Sequence, residues 1–193
     1  VKAMRERTQA LGGRVIFGAR FCGISIRNGR VAAVEYEKNG VREKFDTDTL
    51  VLAVGHSARD VFELLSDLKI ALEPKPFSVG VRIEHLQSDI DKAMFGGFAG
   101  HPALGAADYK LACHLPDGRG VYTFCMCPGG RVVAAASEKG ALAVNGMSYR
   151  ARDMENANSA LLVGLGTKDF DSGYPLAGVE FQRMIEKAAF AAG

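Results

Sequence analysis

The chain has 193 residues, 48% of them hydrophobic and 24% charged, and its 24 Lys+Arg nearly balance 22 Asp+Glu for a formal net charge of +2. That mix excludes a disordered tail, a collagen-like repeat and a disulfide scaffold, and it leaves no electrostatic footprint for a nucleic-acid partner. A chain of this length buries about 70% of its unfolded surface and builds a core without staples. No apolar run reaches the roughly 18 residues that cross a bilayer, so no membrane partner is expected. The four cysteines, Cys22, Cys113, Cys125 and Cys127, have neither zinc-site nor disulfide-framework spacing. A reducing cytoplasm is therefore the expected location, with no metal.

Val1, Met4, Thr8 and Leu11 share one helix face, and Gly12-Gly13 ends that helix. A chain that begins on Val1 and enters a helix at once reads as a piece of a longer protein. Residues 14–17 read as a short strand. Three further strands are expected over residues 21–27, 30–37 and 41–45. Asn28-Gly29 and Asn39-Gly40 separate them, and Asn-Gly supplies the positive φ angles of a tight hairpin turn, so the three form a meander. Residues 49–54, an unbroken apolar run ending at Gly55, read as a strand buried on both faces. Ser57 with Asp60 resembles a capping box, followed by a helical stripe of Val61, Leu64, Leu65 and Leu68.

Pro74 and Pro76 mark an extended connector and a change of character. Strands are expected over residues 77–83, 109–115, 121–127 and 131–136, with a short helix over 88–95. The polar residues 145–159 read as a loop, residues 161–165 as one more strand, and a final helix carries Pro175 in its first turn. The fold class is α+β: a meander-bearing first domain over residues 1–73, then a mainly antiparallel β-sheet domain with packed helices over 74–193.

Four places carry candidate chemistry. In the turn Gly55-His56-Ser57-Ala58-Arg59, glycine admits a close ligand and the Arg59 fork matches a phosphate; the ordinary alternative is a strand–turn–helix with a satisfied cap. Cys125 and Cys127 flank Met126 ahead of Pro128-Gly129-Gly130. A disulfide across that spacing is strained, so two small apolar sheet residues are expected there rather than a redox pair. His85 follows Arg82 and Glu84, which alternate onto one strand face as a solvated charge pair. Asn145 and Asn158, with Arg150 and Arg152 nearby, have the amide and guanidinium groups to orient a polar substrate; the ordinary alternative is a polar loop. Neither Gly-x-Ser-x-Gly nor Gly-x-Gly-x-x-Gly occurs in the chain.

The segment Val51-Leu-Ala-Val-Gly-His-Ser-Ala-Arg-Asp60 resembles a bacterial family of FAD-dependent dehydrogenases, the NAD(FAD)-utilising oxidoreductases of the glutathione-reductase type. The resemblance continues through Phe77-Ser-Val-Gly-Val-Arg-Ile-Glu-His85, Tyr122-Thr-Phe-Cys-Met-Cys-Pro-Gly-Gly130, Asn145-Gly-Met-Ser148, Asn156-Ala-Asn-Ser-Ala160 and Pro175-Leu-Ala-Gly-Val-Glu-Phe-Gln182. It implies a two-domain α/β flavoprotein parent of which this chain is the middle, without the glycine motif that holds the FAD pyrophosphate. By that likeness the backbone near Phe21 lies at the adenine. Gly55, His56, Ser57, Ala58 and Arg59 flank the cofactor. Cys125, Cys127, Gly129, Gly130, Asn145 and Asn158 belong to the substrate side. FAD is then expected in the full-length parent and absent from this piece, with NAD(P) as a further cofactor, a small-molecule substrate, and the remaining segments of the same polypeptide as partners. The competing expectation is a stand-alone ligand-binding or interaction module without catalysis.

Overall fold

The computed structural model describes residues 1–170 and 173–193. The chain divides into two compact units, Val1–Ala71 and Leu72–Gly193.

The first unit opens with helix α1 (Lys2–Ala10) and continues into the meander β1 (Ala19–Arg27), β2 (Arg30–Lys38) and β3 (Val41–Asp46), hydrogen-bonded in that order. Both turns have two consecutive positive φ angles, 52° and 72° at Asn28 and Gly29, 52° and 76° at Asn39 and Gly40. This is the backbone that twists antiparallel strands into register. Ala33 on β2 is fully buried. Helix α2 (Arg59–Asp67) buries Arg59, Val61 and Leu65, and Arg20 of β1 reaches Asp60 at 3.9 Å.

Three expectations for this unit are corrected. Residues 14–17 pair with no strand; Gly18, at φ 65°, turns the chain immediately before β1. Residues 49–54 form no strand either, and Val51 is 83% exposed. A doubly buried strand exists only between hydrogen-bonded neighbours, and none of the described strands pairs with this run. Ser57 does not cap α2. The N-cap position is Ala58, with no side-chain capping bond, and Asp60 Oδ1 instead accepts from its neighbour Val61 N at 3.0 Å.

The second unit holds β4 (Phe77–Leu86), α3 (Gln87–Phe95), β5 (Ala112–His114), β6 (Gly120–Cys127), β7 (Gly130–Ala134), β8 (Val144–Ser148), β9 (Asn156–Leu165) and α4 (Ala177–Ala192). Four strands form an antiparallel sheet in the order β4-β9-β6-β5, and β7-β8 is a separate hairpin. The fold is α+β. The β4–β9 approach is close: a Cβ on Gly80 would collide with the Leu161 backbone. Phe77 meets Phe170 at 5.0 Å and Phe181 of α4 at 6.3 Å between ring centroids, which anchors the last helix. That helix starts after its N-cap Leu176, so Pro175 precedes it rather than sitting in its first turn.

The polar stretch read as a loop is the main correction. Residues 144–148 are β8, and Asn156 opens β9, the strand lying between β4 and β6. Ala157, Asn158, Ser159 and Ala160 are all buried. Their amide and hydroxyl groups carry no hydrophobic signature, yet their partners lie far along the chain. The Asn158 amide, for example, accepts from Arg82 at 2.6 Å, and the Ser159 hydroxyl lies 3.4 Å from Phe124 O. The strand expected over residues 109–115 shrinks to β5, because Leu111 is tied instead to Thr123. Leu111 N donates to Thr123 Oγ1 at 2.8 Å, and Thr123 N donates to Leu111 O at 2.9 Å. Among the described residues no helix is long and apolar enough to cross a membrane.

Candidate functional site

Strand alternation sends Arg82 and Glu84 of β4 to one sheet face and Ile83 and His85 to the other. The two faces do different things.

On the first face Arg82 is a hub. Its Nη1 donates to Asn158 Oδ1 on β9 at 2.6 Å and to Cys125 O on β6 at 3.1 Å, and its Nη2 donates to Asn145 Oδ1 on β8 at 3.3 Å. Asn158 is fully buried, and its Nδ2 has no partner. Gly146 is packed so tightly here that a Cβ would collide with Arg82 Nη1 and Asn158 Oδ1. Glu84 is also engaged: its Oε1 accepts from Val132 N of β7 at 2.6 Å. The expected solvated Arg82–Glu84 pair is therefore replaced by two separate links that bind the β7-β8 hairpin to the large sheet.

The hub supports a kink. The β6–β9 register breaks between Phe124 and Cys127, and Cys125 has φ 48°, a left-handed conformation that strains any residue with a Cβ. Beyond the bulge, Cys127 Sγ lies 3.4 Å from Cys125 O. The Pro128-Gly129-Gly130 turn is clamped from three sides. Gly129 N donates to the buried Gln87 Oε1 at 2.8 Å, Ser148 Oγ donates to Pro128 O at 2.7 Å, and a Cβ on Gly129 would collide with Arg152 O. Gln87 is held in turn by donating Nε2 to Asp91 Oδ1 at 2.8 Å and to Ala107 O at 2.9 Å. Burial, and then the neighbouring Cys125 thiol, push the Cys127 thiol above its ordinary pKa, while the Arg82 guanidinium pulls the other way.

The opposite face carries a hollow of about 530 Å³ between β4, α3 and the segment leading to β5. Ile83, Ile90, Met94, Leu111 and Leu161 line it, with the His85 and Tyr109 rings 5.5 Å apart in its wall. His85 Nε2 is buried without a hydrogen-bond partner. A second hollow of about 430 Å³, which shares Tyr109 and Thr123, reaches Cys125 and Met126.

Of the residues singled out in the sequence, Cys125, Cys127, Gly129, Gly130, Asn145 and Asn158 gather around the bulge and its turn. Cys125 and Asn145 are exposed, Cys127 is half-buried, and Gly129, Gly130 and Asn158 are buried. Phe21, Gly55, His56, Ser57, Ala58 and Arg59 belong to the first unit. Phe21 is half-buried and pairs with Tyr36, and the turn at Gly55 has φ 79° with open space where a Cβ would stand. Ser57 Oγ and His56 Nδ1 lie 3.4 Å apart, and both residues are exposed. Sequence reasoning missed Gln87 and read Arg82 and Glu84 only as a solvated charge pair. No short-range signal marks them, since Arg82 and Asn158 are 76 residues apart. Among the described residues no group of three or more His, Cys, Asp or Glu could hold a metal ion.

A protein of Clostridium beijerinckii, described as an uncharacterized protein, is 47% identical over 194 residues, a match that covers 100% of this chain and 36% of the relative. The chain thus spans about a third of the length of the relative it matches. Residues 76–193 match the family described as FAD-dependent protein, C-terminal domain-like. Those residues include the Arg82 hub, the Cys125 bulge and both hollows, and on this match the chain belongs to that family of FAD-dependent proteins.

Proposed function

We propose that the chain is part of an FAD-dependent oxidoreductase of dehydrogenase type and that its second unit supplies the substrate-side surface. The observation that carries this reading is the Arg82 hub. A guanidinium is held by a fully buried Asn158, and together they fix a strained, exposed bulge at Cys125 beside a hollow. Strained backbone persists only where its surroundings over-determine it, and such positions cluster at functional sites.

The residues present fit FAD only in part. The turn at Gly55 leaves its backbone open to a ligand ahead of the α2 N-terminus. However, the chain has no Gly-x-Gly-x-x-Gly turn to hold a pyrophosphate. FAD is accordingly held mainly by segments of the parent outside these residues, and when bound it accepts two electrons from the substrate. The second unit's own part is to bind and orient. The 430 Å³ hollow that reaches Cys125 has the size of a small-molecule pocket and takes the substrate body. Exposed Asn145, fixed through its Oδ1 by Arg82, orients a polar substrate group.

The test uses the full-length parent. It should purify with bound flavin, and anaerobic addition of candidate substrates should bleach the flavin absorbance. Asn145→Ala should raise the substrate concentration needed for bleaching while leaving flavin content unchanged. A full-length parent that purifies colourless and binds no added FAD would favour the interaction-module reading instead.

A further inference from the structure

We propose that Cys125 and Cys127 form a reversible two-electron thiol centre, in which Cys125 is attacked by a peroxide-type oxidant and Cys127 resolves it to an intrachain disulfide. This goes beyond the flavoprotein reading and does not depend on it.

Three observations carry it. The first is access: Cys125 is exposed and lines the second hollow, whereas Cys127 is half-buried behind it. The second is backbone shape. In a regular strand two residues advance the chain about 6.7 Å, at the far limit of the Cα separation a disulfide spans. Here the strand is not regular. The register breaks at this point, and Cys125 stands at φ 48°. A bulge bends its strand, and Cys127 Sγ folds back to 3.4 Å from the Cys125 carbonyl oxygen. The third is anchoring, since Arg82 holds that same carbonyl at 3.1 Å.

The chemistry balances. The Cys125 thiolate attacks one peroxide oxygen; an S–O bond forms, the O–O bond breaks, and the released hydroxide takes a proton to become water. The Cys127 sulfur then attacks the Cys125 sulfenic sulfur. The S–S bond forms, the S–O bond breaks, and hydroxide leaves with the Cys127 proton as a second water. Two thiols lose two electrons and two protons, and the peroxide takes up both.

Trypsin cleavage after Arg119 and Arg131 isolates the pair from Cys22 and Cys113. The chain is treated with hydrogen peroxide, alkylated, digested and weighed. Two of its four cysteines should lose alkylation, the peptide of residues 120–131 should be lighter by two hydrogens, and dithiothreitol should restore both thiols. In Cys127→Ser the reaction should stall at a Cys125 sulfenic acid that dimedone captures. In Cys125→Ser the dimedone adduct on that peptide should disappear. The proposal is overturned if the pair stays alkylatable while exposed Cys113 oxidises, if Cys127→Ser yields no adduct, or if either cysteine links to Cys22, Cys113 or a second chain.

Discussion

Replacing Arg82 with Met keeps an unbranched apolar stem and removes the guanidinium. Asn158, fully buried, then loses its partner at Oδ1 while its Nδ2 is already unpartnered. A charge-assisted bond contributes about 1.5–3 kcal/mol, and stranding a buried acceptor costs about 1–3 kcal/mol. Cys125 O and Asn145 Oδ1 sit on exposed residues, so water replaces Arg82 there at little cost. The expected loss is about 3 kcal/mol, which lowers Tm by about 6–12 °C in a chain of this size. Urea unfolding followed by tyrosine fluorescence measures it, because Trp is absent and four of the five tyrosines lie in the second unit. Adding Asn158→Ala should cost less than the sum of the single losses, with a coupling of about 1–2 kcal/mol. A loss under about 0.5 kcal/mol for Arg82→Met would mean that Arg82 is an ordinary surface charge, and the hub would have no energetic content.

Gly146→Ala should destabilise the second unit by about 1–3 kcal/mol in the same assay, since its Cβ collides with the Arg82–Asn158 contact. Asp169 is held below the usual carboxylate range by hydrogen bonds from Arg119 and then from Gly166 N. Because its folded pKa is depressed, its contribution is fully present above the unfolded value of about 3.9 and is lost as pH falls through the folded one. The stability advantage of the wild type over Asp169→Asn should therefore be constant near neutrality and shrink in acid, as urea midpoints at several pH values will show. In the full-length parent, Gly55→Val should lower the flavin-to-protein ratio about tenfold, equivalent to 1.4 kcal/mol. Gly40→Val, at a comparable φ of 76° in a meander turn, should leave that ratio unchanged and serves as the control for backbone strain.

What the sequence revealed follows from where the physical cause lies. The meander was legible because Asn28-Gly29 and Asn39-Gly40 carry their conformation in two adjacent residues. Helix α2 was legible because its apolar spacing is local. Strand β9 was half legible: Leu161 to Leu165 look like a strand, while Asn156 to Ala160 look like a loop until Arg82 supplies a partner from 76 residues away. Residues 49–54 carried the opposite illusion, an apolar run with a strand's composition and no neighbour among the described strands. The bulge at Cys125 was illegible because its positive φ falls on a residue with a Cβ, where local preference argues against it.

We propose that this chain is one part of an FAD-dependent oxidoreductase and does not hold the cofactor tightly alone. Losing the pyrophosphate turn removes several charge-assisted hydrogen bonds of about 1.5–3 kcal/mol each, which weakens binding by several orders of magnitude. Titrating FAD against the 193-residue chain and against the full-length parent, with flavin absorbance as the readout, tests this directly. Stoichiometric flavin is expected in the parent, and a colourless chain that binds FAD weakly at best. Tight, stoichiometric FAD binding by the 193-residue chain alone, or a parent that binds none, would contradict it.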